Sequence, residues 1–290
     1  MGEIRRGRNR GRAARALVRH HFTGVVAGGV LVAIILAALL APLLAPGDPI
    51  DMAPLDRLQS PGEAGWLGTD VFGRDVLSRI LYGTRISLAI GGASVIFAAL
   101  LGTTLGLISG YARGWRDYAI MRVMDVLFSF PSILLAILIV SINGAGFVSI
   151  MLAIVLIQTP IFARVVRSAV LVVSEVDYVQ AAEALGASTS RILVRHILPN
   201  VMAPMLVQVA LSISGAVVIE AALSYLGLGA VPPTPSLGSM LSENRVAMEQ
   251  APWAIFFPGV ALGLLVLTIN LFGDTVRDLL DPRVRSATSV

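Results

Sequence analysis

Residues Ser174–Asn200 read S-E-V-D-Y-V-Q-A-A-E-A-L-G-A-S-T-S-R-I-L-V-R-H-I-L-P-N and form a polar segment in a strongly apolar chain. The pattern predicts two short helices that meet at Gly186, the second ending at Pro199. Ser174 followed by Asp177 is typical of a capping box at the start of the first helix. A structured polar segment of this length exceeds what a connector between membrane spans needs, and it indicates a docking surface for a soluble partner.

The composition places the rest of the chain in a membrane. Of the 290 residues, 56% are hydrophobic and 14% are charged, whereas a soluble domain carries about 25% charged residues. Apolar runs of about 20 residues, each long enough to cross the hydrocarbon core as a helix, recur along the sequence. These features predict an all-α integral membrane protein.

The absence of two residue types excludes several chemistries. The chain has no cysteine, and all 22 of its basic residues are arginine. Without lysine it cannot form the phosphate-binding loop of nucleotide hydrolases, whose lysine contacts the β- and γ-phosphates. We therefore expect no catalytic residues, metal site or cofactor in this chain. If ATP drives its activity, a separate subunit binds the ATP.

Six apolar stretches predict six transmembrane helices, the third of them broken at Pro131. The predicted spans cover residues 22–45, 86–109, 123–141, 144–163, 201–229 and 252–273. A basic tail, 1–21, precedes the first span, and a short tail, 284–290, ends the chain.

The distribution of arginines predicts the orientation of the chain. Sixteen arginines lie in the tail 1–21 and in the segments 112–118, 164–199 and 274–290. The intervening segments, 46–84, 142–143 and 230–251, hold only four. Because cytoplasmic loops are enriched in basic residues, both termini and the 174–200 segment are predicted to face the cytoplasm. The seven arginines of the tail predict contact with anionic lipid.

Polar side chains within the predicted spans are candidate pathway residues. Glu220 and Gln208 lie in the fifth span and Asn270 in the sixth. An ionisable group in a span must be paired or must face a cavity, so Glu220 is a candidate cavity residue. The alternative is that all three make hydrogen bonds that pack the helices together.

Two groups of charges are predicted to form local ion pairs. Arg122 and Asp125 lie three residues apart at the start of the third span and are expected to pair. Asp70, Arg74 and Asp75 form a cluster in the outer loop. This cluster predicts a local salt-bridge network, with contact to an external partner as the alternative.

The 174–200 segment resembles the cytoplasmic E-A-A loop of ABC-importer permeases, whose pattern places a glycine after E-A-A-x-x-x and ends in Leu-Pro. The matching positions are Gln180, Ala181, Ala182, Gly186, Leu198 and Pro199. Two residues depart from the pattern. Gln180 replaces the usual glutamate, and His196 stands where isoleucine is expected.

Further stretches resemble the C-type permeases of dipeptide and oligopeptide importers. Leu67–Leu88 is similar to the segment before their second span, and Glu220–Gly229 is similar to the end of their fifth. The resemblance extends over residues 22–283, with the motifs in the family's order. It implies the six-helix type I ABC-importer permease fold with a cytoplasmic coupling helix, in a multi-pass protein of the plasma (inner) membrane.

The resemblance also implies partners and a site. The partners are a second, B-type permease subunit, one or two ATPase subunits that bind ATP and Mg²⁺, an extracytoplasmic substrate-binding protein, membrane lipid and a peptide substrate. No nucleic acid is expected. The residues expected to couple to the ATPase are Tyr178, Gln180, Ala181, Ala182, Ala184, Leu185, Gly186, Ala187, Arg191, Arg195, His196, Leu198 and Pro199.

Other functions remain as alternatives. Relatives in the same family carry nickel or other small solutes, so the substrate is not fixed. An ion-coupled secondary transporter is less favoured, because the spans hold few carboxylates and the two halves show no evident repeat. An intramembrane enzyme is disfavoured because no Ser/His/Asp set or metal-ligand spacing occurs. No sequence resembling a channel filter is evident.

Overall fold

The architecture comes from a computed structural model that describes residues 22–280. The predicted tails, 1–21 and 284–290, and with them the expected lipid contact, lie outside the described residues. Within that range the chain forms helices and loops, with one isolated β-bridge between Thr69 and Asp75.

The helices follow the chain in a simple order, with α7 and α8 inside the polar 174–200 segment. Their bounds are α1 Phe22–Leu39, α2 Ala41–Leu44, α3 Val76–Ala112, α4 Gly114–Ser129, α5 Ser132–Asn143, α6 Phe147–Val173, α7 Asp177–Ala184, α8 Thr189–Arg191, α9 Leu198–Tyr225, α10 Leu237–Glu243 and α11 Trp253–Leu280. Short 3₁₀ turns occur at Pro54–Asp56 and Asn244–Ala247, and a π-helical segment, Ile192–Ile197, joins α8 to α9.

Five continuous helical stretches are long and apolar enough to cross a membrane: α1, α3, α6, the α8–α9 stretch and α11. The pair α4 and α5 passes the same test only when its two halves are combined. They are bent by 94° at Pro131, where proline interrupts the helical hydrogen bonds. The predicted all-α membrane fold is therefore confirmed, with six spans if the bent pair counts as one.

Several helices are longer than the predicted spans. The helix α3 begins at Val76, ten residues before the predicted start, and α6 continues to Val173, ten residues beyond the predicted end. At 1.5 Å per residue, the 37 residues of α3 extend about 55 Å, well beyond about 30 Å of hydrocarbon. The apolar runs mark only the part of each helix in lipid, and the helices continue through polar residues such as Arg79.

The centre of the bundle is a close contact between α3 and α6. Gly102, Gly106 and Gly110 form a stripe along α3 at intervals of four residues and face α6. A Cβ atom on Gly102 would lie 2.4 Å from the Phe162 Cβ atom, and one on Gly106 would lie 2.6 Å from the Ala163 carbonyl oxygen. Small residues at this spacing allow two membrane helices to approach closely. The contact fixes α6, the helix that leads into the 174–200 segment.

At the other end of the bundle, the loop between α2 and α3 packs with α10 into a small domain, here called the cap (residues 46–75 and 230–251). The helix α10 begins with a capping box in which Ser236 and Ser239 each bond the other's backbone N–H. Its Gly238 lies against α9, where an added Cβ would be 2.1 Å from the Ala221 carbonyl oxygen. The cap is thus a packed part of the bundle.

Candidate coupling site and pathway residues

A left-handed glycine ends the helix α7. Gly186 has φ +77°, and its N–H donates to the Glu183 carbonyl oxygen at 2.9 Å. The N–H of Ala187 donates to the Ala182 carbonyl oxygen at 3.0 Å. These two bonds form a Schellman motif, which satisfies the last carbonyl groups of the helix. The left-handed backbone explains the glycine, and within the described residues nothing lies within 4 Å of an added Cβ.

One buried side chain packs α7 against the rest of the bundle. Val179 is 1% exposed and packs in a hydrophobic cluster with residues of α6, the π-helical segment and α9. The buried members of this cluster are Val166, Val170, Val179, Ile192, Ile197 and Val201. The short helix is therefore anchored to the ends of two long helices, and a displacement of α7 would be transmitted to both.

Polar contacts add to this anchor. The side-chain amide of Asn200 donates to the Tyr178 hydroxyl at 2.9 Å and to the His196 carbonyl oxygen at 2.6 Å. Arg113, in the α3–α4 connection, pairs with Glu175 just before α7. Both charged side chains of that pair are exposed, so its contribution to stability is small.

The face of α7 opposite Val179 is exposed. Leu185, at its C-terminal end, is 89% exposed. Other predicted coupling residues are also exposed, namely Tyr178, Gln180, Ala181, Ala184, Gly186, Arg191, Arg195 and Pro199. Ala182, Ala187, His196 and Leu198 are half-buried. Leu185 is the most exposed large hydrophobic side chain of this segment, and most of the other exposed residues are small or polar, which suits insertion into a groove of a soluble partner.

The predicted capping box at the start of α7 is wrong. Ser174 belongs to the end of α6, and its hydroxyl donates to the Leu171 carbonyl oxygen at 3.1 Å. The residue that caps α7 is Val176, which has no side-chain acceptor. The sequence places α6 and α7 only three residues apart, so the serine satisfies the earlier helix instead.

The prediction that the second helix ends at Pro199 is also wrong. Helical structure continues from Thr189 through the π-helical segment to Tyr225. Pro199 lies in the first turn of α9, and the neighbouring Leu198 N–H bonds five residues back, to Leu193. The wider π turn accommodates a proline, which lacks an N–H and disrupts a regular α-helix.

The ion pair expected between Arg122 and Asp125 is absent from the described residues. Asp125 instead accepts a hydrogen bond from the Arg164 side chain of α6 at 2.7 Å. Asp117 accepts two hydrogen bonds from Arg167, both at 2.6 Å, in a bidentate arrangement. Two ion pairs thus join α4 to α6, and one of them takes the place of the pair predicted within α4.

The candidate pathway residues all make hydrogen bonds to serines. Glu220 is fully buried and accepts bonds from Ser87 of α3 at 2.5 Å and from Ser224 at 2.7 Å. Gln208 donates to Ser212 of its own helix at 3.0 Å. Asn270 accepts from Ser214 at 2.6 Å, joining α11 to α9.

The structure does not bring these three candidates together. Glu220 and Gln208 lie 12 residues apart on α9, a separation of about 18 Å along the helix axis. Glu220 and Asn270 each join neighbouring helices. Whether any of the three faces the substrate stays a prediction, since their hydrogen bonds agree with the packing alternative.

A buried ion cluster that joins the cap to the start of α3 is larger than the sequence predicts. Asp70 and Arg74 pair at 2.7 Å, as expected. Glu243 of α10 pairs with Arg74 and with Arg79, the latter at 3.1 Å. Asp75 takes no part and instead caps α3 by accepting from the Ser78 N–H at 2.7 Å. Glu243 was missed because it lies more than 160 residues away in the sequence.

The described residues include no group of three or more His, Asp or Glu side chains that could hold a metal ion. The candidate functional site is the short helix α7, which is buried against α6 and α9 on one face and exposed on the opposite face.

Comparison with known families identifies this architecture. Residues 102–286 match the family described as the binding-protein-dependent transport system inner membrane component. Residues 11–61 match the N-terminal TM domain of oligopeptide transport permease C.

Individual relatives agree with the family match. The chain is 47% identical to the dipeptide transport system permease protein DppC of Alkalihalophilus pseudofirmus, over 80% of this chain and 77% of that protein. It is 48% identical to the glutathione transport system permease protein GsiD of Pectobacterium atrosepticum, over the same shares.

A solved structure agrees in fold. The inward-facing MetNI methionine ABC transporter superposes with a TM-score of 0.56, covering 71% of this chain and 97% of that chain at 18% identity. The predicted resemblance and the multi-pass inner-membrane location are thus confirmed. The chain belongs to the family of binding-protein-dependent transport system inner membrane components, the permeases of ABC importers.

Proposed function

We propose that this chain is a permease subunit of an ATP-driven importer of short peptides and that α7 couples it to the ATPase. The observation that carries the coupling role is the geometry of α7, which is anchored by Val179 and exposes Leu185 on a rigid turn. Movement of a soluble subunit bound to Leu185 would displace α6 and α9 together, because both helices contribute to the cluster around Val179.

The partners follow from this role. A second permease of the B type completes the pathway, and one or two ATPase subunits bind ATP and Mg²⁺. An extracytoplasmic binding protein delivers the substrate. The absence of lysine supports this division, because the chain cannot form a phosphate-binding loop of its own.

Short peptides are the substrate class that the relatives favour. The similar proteins are named for the transport of dipeptides, di- and tripeptides and glutathione. These names support peptides over nickel chelates and over an ion-coupled mechanism. The direct test is to reconstitute the chain with its partner subunits and binding protein in proteoliposomes and to measure uptake of a labelled dipeptide. ATP-dependent uptake supports the proposal, and uptake by this chain without the ATPase would contradict it.

The proposed orientation can be tested by single-cysteine labelling, since the chain has no native cysteine. In membranes that contain the chain without its ATPase, which would cover α7, we expect Glu183→Cys to react with a membrane-impermeant maleimide only in inside-out vesicles. Glu63→Cys, in the exposed part of the cap, should react only from the outer side of intact cells. The cysteine-free parent provides the background, and labelling of Glu183→Cys in intact cells would overturn the orientation.

A further inference from the structure

The cap contains a cavity that the coupling role does not use. It has a volume of about 470 Å³, within the range of about 300–1,000 Å³ typical of small-molecule sites. The loop before α3 forms one part of its wall, and α10 with the following turn forms the other. In the proposed orientation the cavity opens on the outer side of the membrane.

Most of the cavity wall is apolar, with contributions from Met52, Leu58, Phe72 and Val246. Such a surface can accept the side chains of many different short peptides, because apolar contacts do not depend on a specific hydrogen-bond pattern. The polar groups in the wall are therefore the ones that would select and orient a ligand.

One of these polar groups is the guanidinium group of Arg57. Arg57 lines the cavity, its side chain is exposed, and it takes part in no ion pair within residues 22–280. A guanidinium group binds a carboxylate through two parallel hydrogen bonds. Arg57 is thus suited to hold the carboxylate end of a ligand.

The other charged group is a fixed acceptor. Glu243 also lines the cavity, and its Oε2 atom accepts from both Arg74 and Arg79. Its Oε1 atom makes no hydrogen bond within the described residues, and the side chain is 22% exposed. The two arginines hold the carboxylate in place, so Oε1 can accept a hydrogen bond from an ammonium or amide group without reorganising.

We propose that this cavity binds a short peptide with free ends before it enters the membrane pathway. The carboxylate of the peptide pairs with Arg57, the α-ammonium group donates to Glu243 Oε1, and the side chains contact the apolar wall. A dipeptide spans about 7 Å when extended, and it is a small ligand of the kind that cavities of this volume typically bind. The proposal rests on the proposed peptide substrate and adds a receiving site on the permease itself.

The experiment uses the assembled importer in nanodiscs without its binding protein, so that all peptide binding is to the membrane complex. Equilibrium dialysis with labelled Ala-Phe would measure the affinity. We expect Arg57→Gln to weaken Ala-Phe binding about tenfold, as expected for the loss of one charge-assisted contact. The matched control is Arg245→Gln, an exposed arginine of the cap that does not line the cavity.

Changes to the ligand test the two ends separately without disturbing the ion cluster. The amide Ala-Phe-NH₂ should bind the parent complex about tenfold more weakly and should lose no further affinity in Arg57→Gln. N-acetyl-Ala-Phe should bind weakly to both proteins, because it lacks the ammonium group.

Equal Ala-Phe binding by the parent and Arg57→Gln would overturn the proposal. The proposal would also be overturned if Arg57→Gln bound Ala-Phe normally but lost stimulation of ATP hydrolysis by the binding protein. The cavity would then be a contact surface for that protein. Uptake by the complete system distinguishes this failure from failure of the proposed function. If ATP-driven peptide uptake occurs but Arg57→Gln binds Ala-Phe as the parent does, the proposed function is supported and the proposed cavity site is refuted.

Discussion

Leu185→Asp is expected to abolish peptide uptake while the protein still folds and inserts. Leu185 is 89% exposed, and exposed substitutions usually change stability by less than about 0.5 kcal/mol. In the assembled importer the same side chain would be buried in the ATPase. Losing it forfeits about 2 kcal/mol of apolar burial, and an unpaired carboxylate there adds a further desolvation cost. We therefore expect the affinity of the permease for the ATPase at this contact to fall by at least about 100-fold.

Two measurements separate coupling from folding for this variant. ATP-dependent uptake in proteoliposomes should fall to background, whereas the amount of folded protein in the membrane should match the parent. The matched control is Leu185→Met, which keeps an apolar side chain of similar volume and should retain uptake. Normal uptake by Leu185→Asp, or equal loss by both variants, would contradict the assignment of Leu185 to the ATPase contact.

The elements that the sequence predicts well are those set by local patterns. The break at Pro131 follows from the chemistry of a single residue, and it appears as the 94° bend between α4 and α5. The turn at Gly186 likewise follows from one residue, because glycine adopts φ > 0 without strain. In the structure this glycine has a φ of +77°, in the left-handed region.

The features that the sequence does not predict depend on competition between distant residues. Asp125 has an arginine three residues away in its own helix but pairs with Arg164, 39 residues on. The glycine stripe holds α6 close to α3, and α4, which follows α3 directly in the chain, also contacts α6. In the same way Ser174 could have capped α7, but α6 extends far enough to use it. The spacing of residues in the sequence indicates which hydrogen-bond partners are possible, and the packing of the helices determines which of them form.

Asp70→Asn is expected to destabilise the cap by about 3–5 kcal/mol, the cost of removing one partner from a buried ion pair. Asp70 is fully buried. Its Oδ1 atom accepts from the Phe72 and Arg74 backbone N–H groups, and its Oδ2 atom accepts from the Arg74 side chain at 2.7 Å. An amide group in this position must direct its NH₂ toward a donor, and Arg74 and Arg79 are left with one carboxylate, Glu243, between them.

The measurement is the thermal unfolding midpoint of the purified protein, which should fall by about 10 °C in Asp70→Asn. Asp51→Asn provides the control, because Asp51 is exposed in the same loop and its side chain makes no hydrogen bond within the described residues. Adding Arg74→Met to Asp70→Asn should recover part of the loss. The remaining charges, Arg79 and Glu243, then balance, and the amide side chain that replaces the Asp70 carboxylate can still accept from the backbone through its carbonyl oxygen. If Asp70→Asn unfolds at the same temperature as Asp51→Asn, the buried cluster does not hold the cap to the bundle.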